Sequence, residues 1–446
     1  MAPFTAASPD YRRALGDGLI QRWSTAEDTG NIAQLCGLVF RDREDEPFNP
    51  RAMESVRRHM SGDFPLMGPG DYAVVEDRGK EGNPLVACTC LWRREWEYED
   101  IAFGVGQPEF VVTHPDYRNR GLIRALFDML HTRSEAEGHL AQAITGISYF
   151  YRQFGYEYAL ELEGHRVTYL SLIPKAEEAT PEPYSLRAAT PEDIPRIVEL
   201  YNRQRETCMV SAIASERFWR YQIEEEKDPT VGKQMCVRMI VDDAGAVRGY
   251  AMVGSRRWDA SLNVHELNLA AGVSWQAVVS PLLRALQAYG LQIPAIGPDA
   301  PPLNEISLWL GSAHPIYEAL APYYEPPYAW YVRVRDVPAF IRHIAPVLER
   351  RLANSVAAAY RGELTLDFYR GGLHMIFDKG RMTQVEPWRA PAYKNTADAS
   401  CPALVFLQLL FGYRSLAELR YAFPDVRVEK SEAGVLLNAL FPKKFS

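Results

Sequence analysis

Between Glu109 and Leu130 the chain reads EFVVTHPDYRNRGLIRALFDML, and these residue types build an anion site. Phe110, Val111 and Val112 form a short apolar strand, Thr113 to Asp116 a turn, and Arg118-Asn119-Arg120-Gly121 the opening of a helix. Leu122, Leu126, Met129 and Leu130 recur on one face of that helix. A strand that delivers basic residues and a glycine to a helix N-terminus points unpaired N–H groups and the positive end of the helix dipole at one spot. The glycine lets a phosphate come close to the backbone. The Gly-Lys-Ser/Thr element of a Walker loop is missing, and a single glycine does not make the dinucleotide fingerprint. Arginines at a helix start oppose the dipole, which makes a purely structural role for them uncomfortable. A second cluster, Ile147 to Tyr156 (ISYFYRQFGY), follows at the distance of the next strand and helix. An aromatic core accounts well for Phe150, Phe154 and Tyr156, but less well for the number of phenol hydroxyls, each of which needs a partner when buried.

The elements that must position these residues fall into three blocks. At 446 residues and 50.5 kDa the chain exceeds a single ordinary core. The first block, 1–175, has a strand at Leu19 to Trp23, a helix from about Thr25 to Val39 with Ser24 as N-cap, and strands near Asp71 to Asp77 and Pro84 to Trp92. A connector rich in Pro, Glu and Ala (174–183) leads into a second block, 183–335, which restarts the pattern. Tyr184 to Ala189 reads as a strand, Thr190-Pro191-Glu192-Asp193 as a helix start, and Val237 to Asp242 with Val247 to Gly254 as a hairpin-like pair. After Val264 to Leu269, however, the chain continues Ala-Ala-Gly-Val-Ser-Trp, without the glycine-and-arginine turn. The third block, 336–446, predicts a helix over Ala339 to Arg351 and a meander over Glu363 to Tyr369, Gly371 to Phe377 and Arg381 to Val385. Helices follow over Pro402 to Phe411 and Ser415 to Ala422.

A net charge of −8, from 49 Lys plus Arg against 57 Asp plus Glu, is a poor footprint for nucleic acid and suits a cationic amine. No apolar run reaches membrane-span length, and the N-terminal residues lack the apolar core of a signal peptide. The six cysteines are scattered, match no zinc spacing and read as buried thiols in a reducing, cytoplasmic compartment. No metal is expected.

The turn resembles the pyrophosphate-binding motif of the GNAT superfamily of acetyl-CoA-dependent N-acetyltransferases, R/Q-x-x-G-x-G/A. Arg118, Gly121 and Ile123 take its first, fourth and sixth positions, with Ile123 departing from the usual small residue. The resemblance implies that backbone amides of Arg118, Asn119, Arg120, Gly121, Leu122, Ile123 and Arg124 hold the CoA pyrophosphate. It also implies that the backbone of Phe110, Val111 and Val112 pairs with pantetheine like an added strand. Tyr151, before Phe154-Gly155-Tyr156, matches the phenol that protonates the departing thiolate. In order and pattern the whole chain is similar to the three-domain enhanced intracellular survival (Eis) family. That implies a mixed α/β architecture of two tandem GNAT folds, the second degenerate, and a C-terminal α+β domain like a sterol-carrier protein.

For such enzymes the implied acceptor is the primary amine of an aminoglycoside, a polyamine or a lysine-like compound, and the implied assembly a homo-oligomer, often a hexamer. Two bases compete. Glu109 lies twelve residues before Gly121, the position of a catalytic carboxylate in several GNAT enzymes. In Eis-like enzymes the chain's own terminal carboxylate takes this role, here that of Ser446, although the family tends to end on an aromatic residue. Arg93 to Asp100 mixes acids and aromatics, fit either to face a cationic substrate or to form a solvated hairpin loop. Trp96 within it, with Phe40 and Trp92, are the candidate substrate walls, and His114 reads as a surface turn residue. No nucleophilic Cys or Ser lies in a recognisable elbow, which points to direct attack on the thioester. The competing reading is a protein that binds an apolar ligand or acyl-CoA, with a vestigial GNAT domain.

Overall fold

The structure is a computed structural model that describes residues 5–444 apart from 42, 163, 177–180, 225–234, 298, 321–323 and 392–396. The first unit contains β1 (Arg12–Gly16), β2 (Leu19–Trp23), α1 (Thr29–Val39), α2 (Pro50–His59), β3 (Tyr72–Asp77), β4 (Leu85–Tyr98), β5 (Ile101–Thr113), α3 (Leu122–Ala136), β6 (Ala141–Ile144) and β7 (Glu157–Leu162). Thr25 and Asp28 form a capping box at the entry to α1. Ser24, the expected cap, instead donates its hydroxyl to the Pro69 carbonyl at 2.6 Å. Asn49 caps α2 through the amides of Arg51 and Ala52, with Pro50 in the first turn.

The second unit contains β8 (His165–Tyr169), β9 (Tyr184–Ala188), α4 (Ile194–Arg205), β10 (Val210–Ala212), α5 (Glu216–Glu224), β11 (Met235–Asp242), β12 (Val247–Gly254), β13 (Ser261–Leu269), α6 (Trp275–Gln292), β14 (Glu305–Leu308), β15 (Tyr324–Glu325) and β16 (Tyr328–Arg333). It repeats the first: β5–α3–β6 and β13–α6–β14 each join two parallel strands through a helix. The two units exchange their closing strands. The first sheet runs β1-β2-β3-β4-β5-β6-β16-β7, with β10 added beside β4, and the second runs β15-β8-β14-β13-β12-β11-β9. Each sheet therefore draws residues from both sides of position 175.

The third unit has α7 (Val337–His343) and α8 (Ala345–Ala353), then β17 (Gly362–Asp367), β18 (Gly372–Asp378), β19 (Arg381–Pro387), β20 (Ala399–Ser400), α9 (Ala403–Leu410), α10 (Leu416–Ala422), β21 (Arg427–Val428) and α11 (Ser431–Leu440). The helix expected over Ala339 to Arg351 is broken at Ile344, because Pro346 has no N–H to continue it. Phe340, Leu364, Met375, Leu410, Phe411 and Leu440 pack in one core with Trp96, Tyr98, Phe103 and Val105 of the first sheet. The Tyr98 hydroxyl donates to the Leu410 carbonyl at 2.7 Å, and Arg351 joins Glu99 to the Leu440 carbonyl.

The residues from Arg93 to Tyr98 belong to β4, not to a hairpin loop; the turn is Glu99-Asp100. Their charges are used internally: Arg93 pairs with Asp71 and Glu137, Glu97 with Arg205, and Glu99 with Arg351. Among the described residues no helix is long and apolar enough to cross a membrane, and no group of three or more His, Cys, Asp or Glu is placed to hold a metal. None of the six cysteines, all of them described, is in a disulfide, and five are buried.

Candidate active site

Two left-handed residues shape the turn before α3: Asn119 (φ 63°) and Gly121 (φ 73°). Leu122 is buried and anchors the helix start, whereas Arg118, Asn119, Arg120 and Gly121 are exposed. A Cβ on Gly121 would meet no atom within 4 Å, so the space before the helix amides is open. Arg120 lies over the Tyr117 ring and Arg124 over the Phe154 ring, at 4.9 and 5.1 Å. Among the described residues none of Arg118, Arg120 and Arg124 has a carboxylate partner, which leaves three cations around a helix N-terminus. His114 accepts the Asp116 amide and caps the turn before this site. In the second unit Ser274 caps α6 with its own side chain, accepting the Ala277 amide, and no arginine adjoins.

Below this turn the sheet opens. The parallel strands β5 and β6 pair only at Val105–Ala141 and Gly106–Gln142. Gly106 is required there, since a Cβ would stand 2.2 Å from the Ser134 hydroxyl of α3. Beyond Gly106 the strands part, and β5 carries a bulge opposite Cys88 and Cys90, where Phe110 adopts φ 52°. Among the described residues the edge of β5 from Glu109 to Val112 that faces β6 has no partner strand, and it is able to pair with an extended ligand.

Glu109 lies on this stretch of β5 and Tyr151 follows β6, close enough for the Glu109 charge to act on the Tyr151 phenol. Glu109 accepts from the Gln107 amide at 2.5 Å, and Gln107 in turn accepts from the Arg94 guanidinium at 2.6 Å. Burial raises the Glu109 pKa against the pull of these partners. Tyr151 begins a 3₁₀ turn after β6, with its ring packed on Phe127, Phe150 and Tyr331. Among the described residues its hydroxyl has no hydrogen-bond partner. Burial, and then the charge of Glu109, hold that phenol well above its ordinary pKa. The proton on Tyr151 is therefore retained, and the hydroxyl is free to donate to a ligand.

Beside Tyr151 the exchanged strand β16 contributes Tyr328 and Tyr331. The Tyr331 hydroxyl donates to that of Tyr158 at 2.5 Å, and Tyr328 donates to the Gly146 carbonyl at 2.6 Å. Sequence reasoning missed Tyr328 and Tyr331 because nothing local marks a strand that crosses between units. It also missed Gln107 and Arg94, for which the alternation of β5, placing Gln107 and Glu109 on one face, was an available signal.

The candidate substrate walls divide. Phe40 meets Phe110 edge-to-face at 5.7 Å, and Trp92 packs on His59 and Phe64 at 5.2 and 5.3 Å. Burial keeps His59 neutral, with a pKa near 3. Trp96 lines a cavity of about 320 Å³ with Arg94, Leu160, Tyr201, Glu266 and Trp330. A larger cavity, about 830 Å³, lies between α2 and the second sheet and contains neither Glu109 nor Tyr151. Ser446 lies outside the described residues; Lys444, the last described, binds Glu99 at 3.2 Å.

Residues 21–159 match the family described as acetyltransferase (GNAT) domain. Across the whole chain the fold is similar to that of a GCN5-related N-acetyltransferase from Kribbella flavida, 19% identical with a TM-score of 0.63 over 97% of this chain and 98% of that one. It is also similar to a GCN5-related N-acetyltransferase from Anabaena variabilis (12%, TM-score 0.63, 96% and 97%) and to Eis1 from Mycobacterium abscessus (13%, TM-score 0.58, 96% and 99%). No curated protein sequence matches the chain. The cationic turn, the parted strands and the family match over the same residues lead to one conclusion: the chain is an N-acetyltransferase, with its GNAT domain at residues 21–159.

Proposed function

We propose that the enzyme transfers the acetyl group of acetyl-CoA to a primary amine by direct attack on the thioester. In this reading the amides from Arg118 to Arg124 hold the pyrophosphate, and the β5 backbone from Phe110 to Val112 pairs with pantetheine. The amine nitrogen bonds to the thioester carbon as the carbon–sulfur bond breaks. Glu109 takes the proton from the amine, and Tyr151 supplies one to the leaving thiolate. The observation that supports the reading is the nearness of Glu109 to Tyr151, felt as its charge on the phenol, beside the stretch where β5 and β6 no longer pair. Phe40, Trp92 and Trp96 line the approach of the amine. The carboxylate of Ser446 is the second candidate base. The reading as an apolar-ligand carrier is disfavoured by the third unit, whose inner residues are spent on packing each other and the first sheet. Six cysteines outside any disulfide fit a reducing cytoplasm.

The test is CoA release from acetyl-CoA against aminoglycosides, polyamines, lysine peptides and free amino acids, with acetyl-CoA affinity measured in parallel by calorimetry. Turnover with any amine is expected. Failure to bind acetyl-CoA would sink the reading, and tight binding without turnover across the panel would favour an acyl-CoA-binding scaffold.

A further inference from the structure

The charged side chains that line the 320 Å³ cavity are Arg94, Glu161, Arg205 and Glu266. Arg205 at its rim is paired with Glu97. Glu161 accepts the Ser312 hydroxyl at 2.5 Å. Glu266, from the second unit, accepts the Tyr250 hydroxyl at 2.7 Å, and burial pushes its carboxyl up to about 7. Arg94 differs. Its Nε donates to Gln107, its guanidinium lies over Trp92 at 5.6 Å, and among the described residues it has no carboxylate in salt-bridge range. Burial works against its positive form, and only the more distant charges of Glu109 and Tyr201 offset this. A guanidinium removed from water without an ion-pair partner is costly, and a bound carboxylate meets its planar donor fork well.

The position of this cation defines what the carboxylate belongs to. On one face of the first sheet, Cys88, Cys90 and Val112 are covered by α1 and α2, and Trp96, Tyr98, Phe103 and Val105 lie in the core shared with the third unit. Between the covers lies the polar strip of Arg94, Gln107 and Glu109, of which Arg94 lines the cavity. Arg94 and Glu109 are separated by the single amide of Gln107. We propose that the acceptor is an amino acid, with its carboxylate held by Arg94 and its amine presented to Glu109. Trp96, Trp330, Tyr201 and Leu160 then receive an apolar side chain. The cavity is at the small end of ligand sites, which fits one amino acid better than a multi-ring amine. This inference rests on the acetyltransferase reading of the same site.

The test compares initial rates on L-phenylalanine, L-phenylalaninamide and phenethylamine for the wild type, Arg94→Met and Arg94→Lys. The expected result is a kcat/KM for L-phenylalanine at least roughly 30-fold above both carboxylate-free amines, lost in Arg94→Met. In that variant the loss on L-phenylalanine should exceed the loss on phenethylamine by about that factor, since any loss shared by both reports only the Arg94–Gln107–Glu109 chain, and Arg94→Lys should recover part of the difference through KM. Equal or better turnover of the carboxylate-free amines would overturn the inference while leaving the acetyltransferase reading intact. So would an equal loss on phenylalanine and phenethylamine in Arg94→Met, which would mark Arg94 as support for Glu109 alone. Absence of CoA release with every amine would sink the acetyltransferase reading itself.

Discussion

Replacing Tyr151 with Phe separates chemistry from architecture more cleanly than any other change at this site. The ring makes its contacts through its faces and edges: Phe127 at 5.8 Å, Phe150 at 5.2 Å and Tyr331 at 5.5 Å. Phenylalanine keeps all of these. The hydroxyl has no partner among the described residues, so its removal breaks no internal hydrogen bond and orphans no buried group. Stability should stay within about 0.5 kcal/mol, and the thermal midpoint within about 2 °C. A positioned general acid contributes about 10²- to 10⁴-fold, equivalent to about 2.7–5.5 kcal/mol of barrier, so kcat should fall by that factor. Burial, reinforced by Glu109, holds the Tyr151 pKa above the ordinary phenol value, so the wild type should keep activity into alkaline solution and lose it only above that value. The variant should lack this alkaline limb. The assay is thiol release from acetyl-CoA across pH, beside a thermal melt and acetyl-CoA calorimetry. A kcat within about threefold of wild type, or a loss of acetyl-CoA affinity as large as the loss of kcat, would refute the assignment.

Three further outcomes are expected. Gly121→Glu places a side chain on a left-handed residue and a carboxylate before the α3 amides, so acetyl-CoA affinity should drop about tenfold or more in calorimetry, with kcat at saturation little changed. In Glu109→Gln, turnover should collapse. Because burial raises the Glu109 pKa, its contribution to folding is present in acid and lost as pH rises through the raised value, so the variant should melt no lower than wild type at pH 7. Arg22 joins Asp28 at 2.8 Å and Glu76 at 2.7 Å, and Arg22→Met would leave both carboxylates without it, at a cost of about 3–5 kcal/mol in a denaturant melt. Burial raises both carboxyls, but their bonds to Arg22 outweigh it and hold them below the usual range. The stabilisation is therefore present above the ordinary carboxylate pKa and lost as pH falls through the lowered values, so the deficit of Arg22→Met should shrink in acid.

Local signals were enough for much of this. The arginine-glycine turn, the helix behind it and the Tyr151 segment are each written in contiguous residues, and the meander of the third unit follows from alternation and turn residues. What stayed hidden depends on distant partners. The second half of β4 imitates a loop, because its polar residues from Arg93 to Glu97 face a cavity and ion-pair partners on α4, α3 and the segment before β3. The α2 helix has few apolar positions, burying only Val56 and His59, so it lacks a strong helical stripe. The role of Gln107 emerges only when β5 is seen with Arg94 on the neighbouring strand.

The strand exchange explains why a second unit without a cationic turn is retained. The first sheet would lack its strand between β6 and β7 without β16, because among the described residues no other strand pairs there. With β16 come Tyr328 and Tyr331, which bond Tyr158 and the carbonyls after β6 and so fix the segment leading to Tyr151. From the same unit, α4 and β10 supply Tyr201 and Ser211 to the wall opposite Arg94, and β13 supplies Glu266. A second unit freed from holding a phosphate still has to complete the sheet and shape the cavity. Both tasks need the strands of the second unit and the packing behind them, and neither needs a cationic turn before α6.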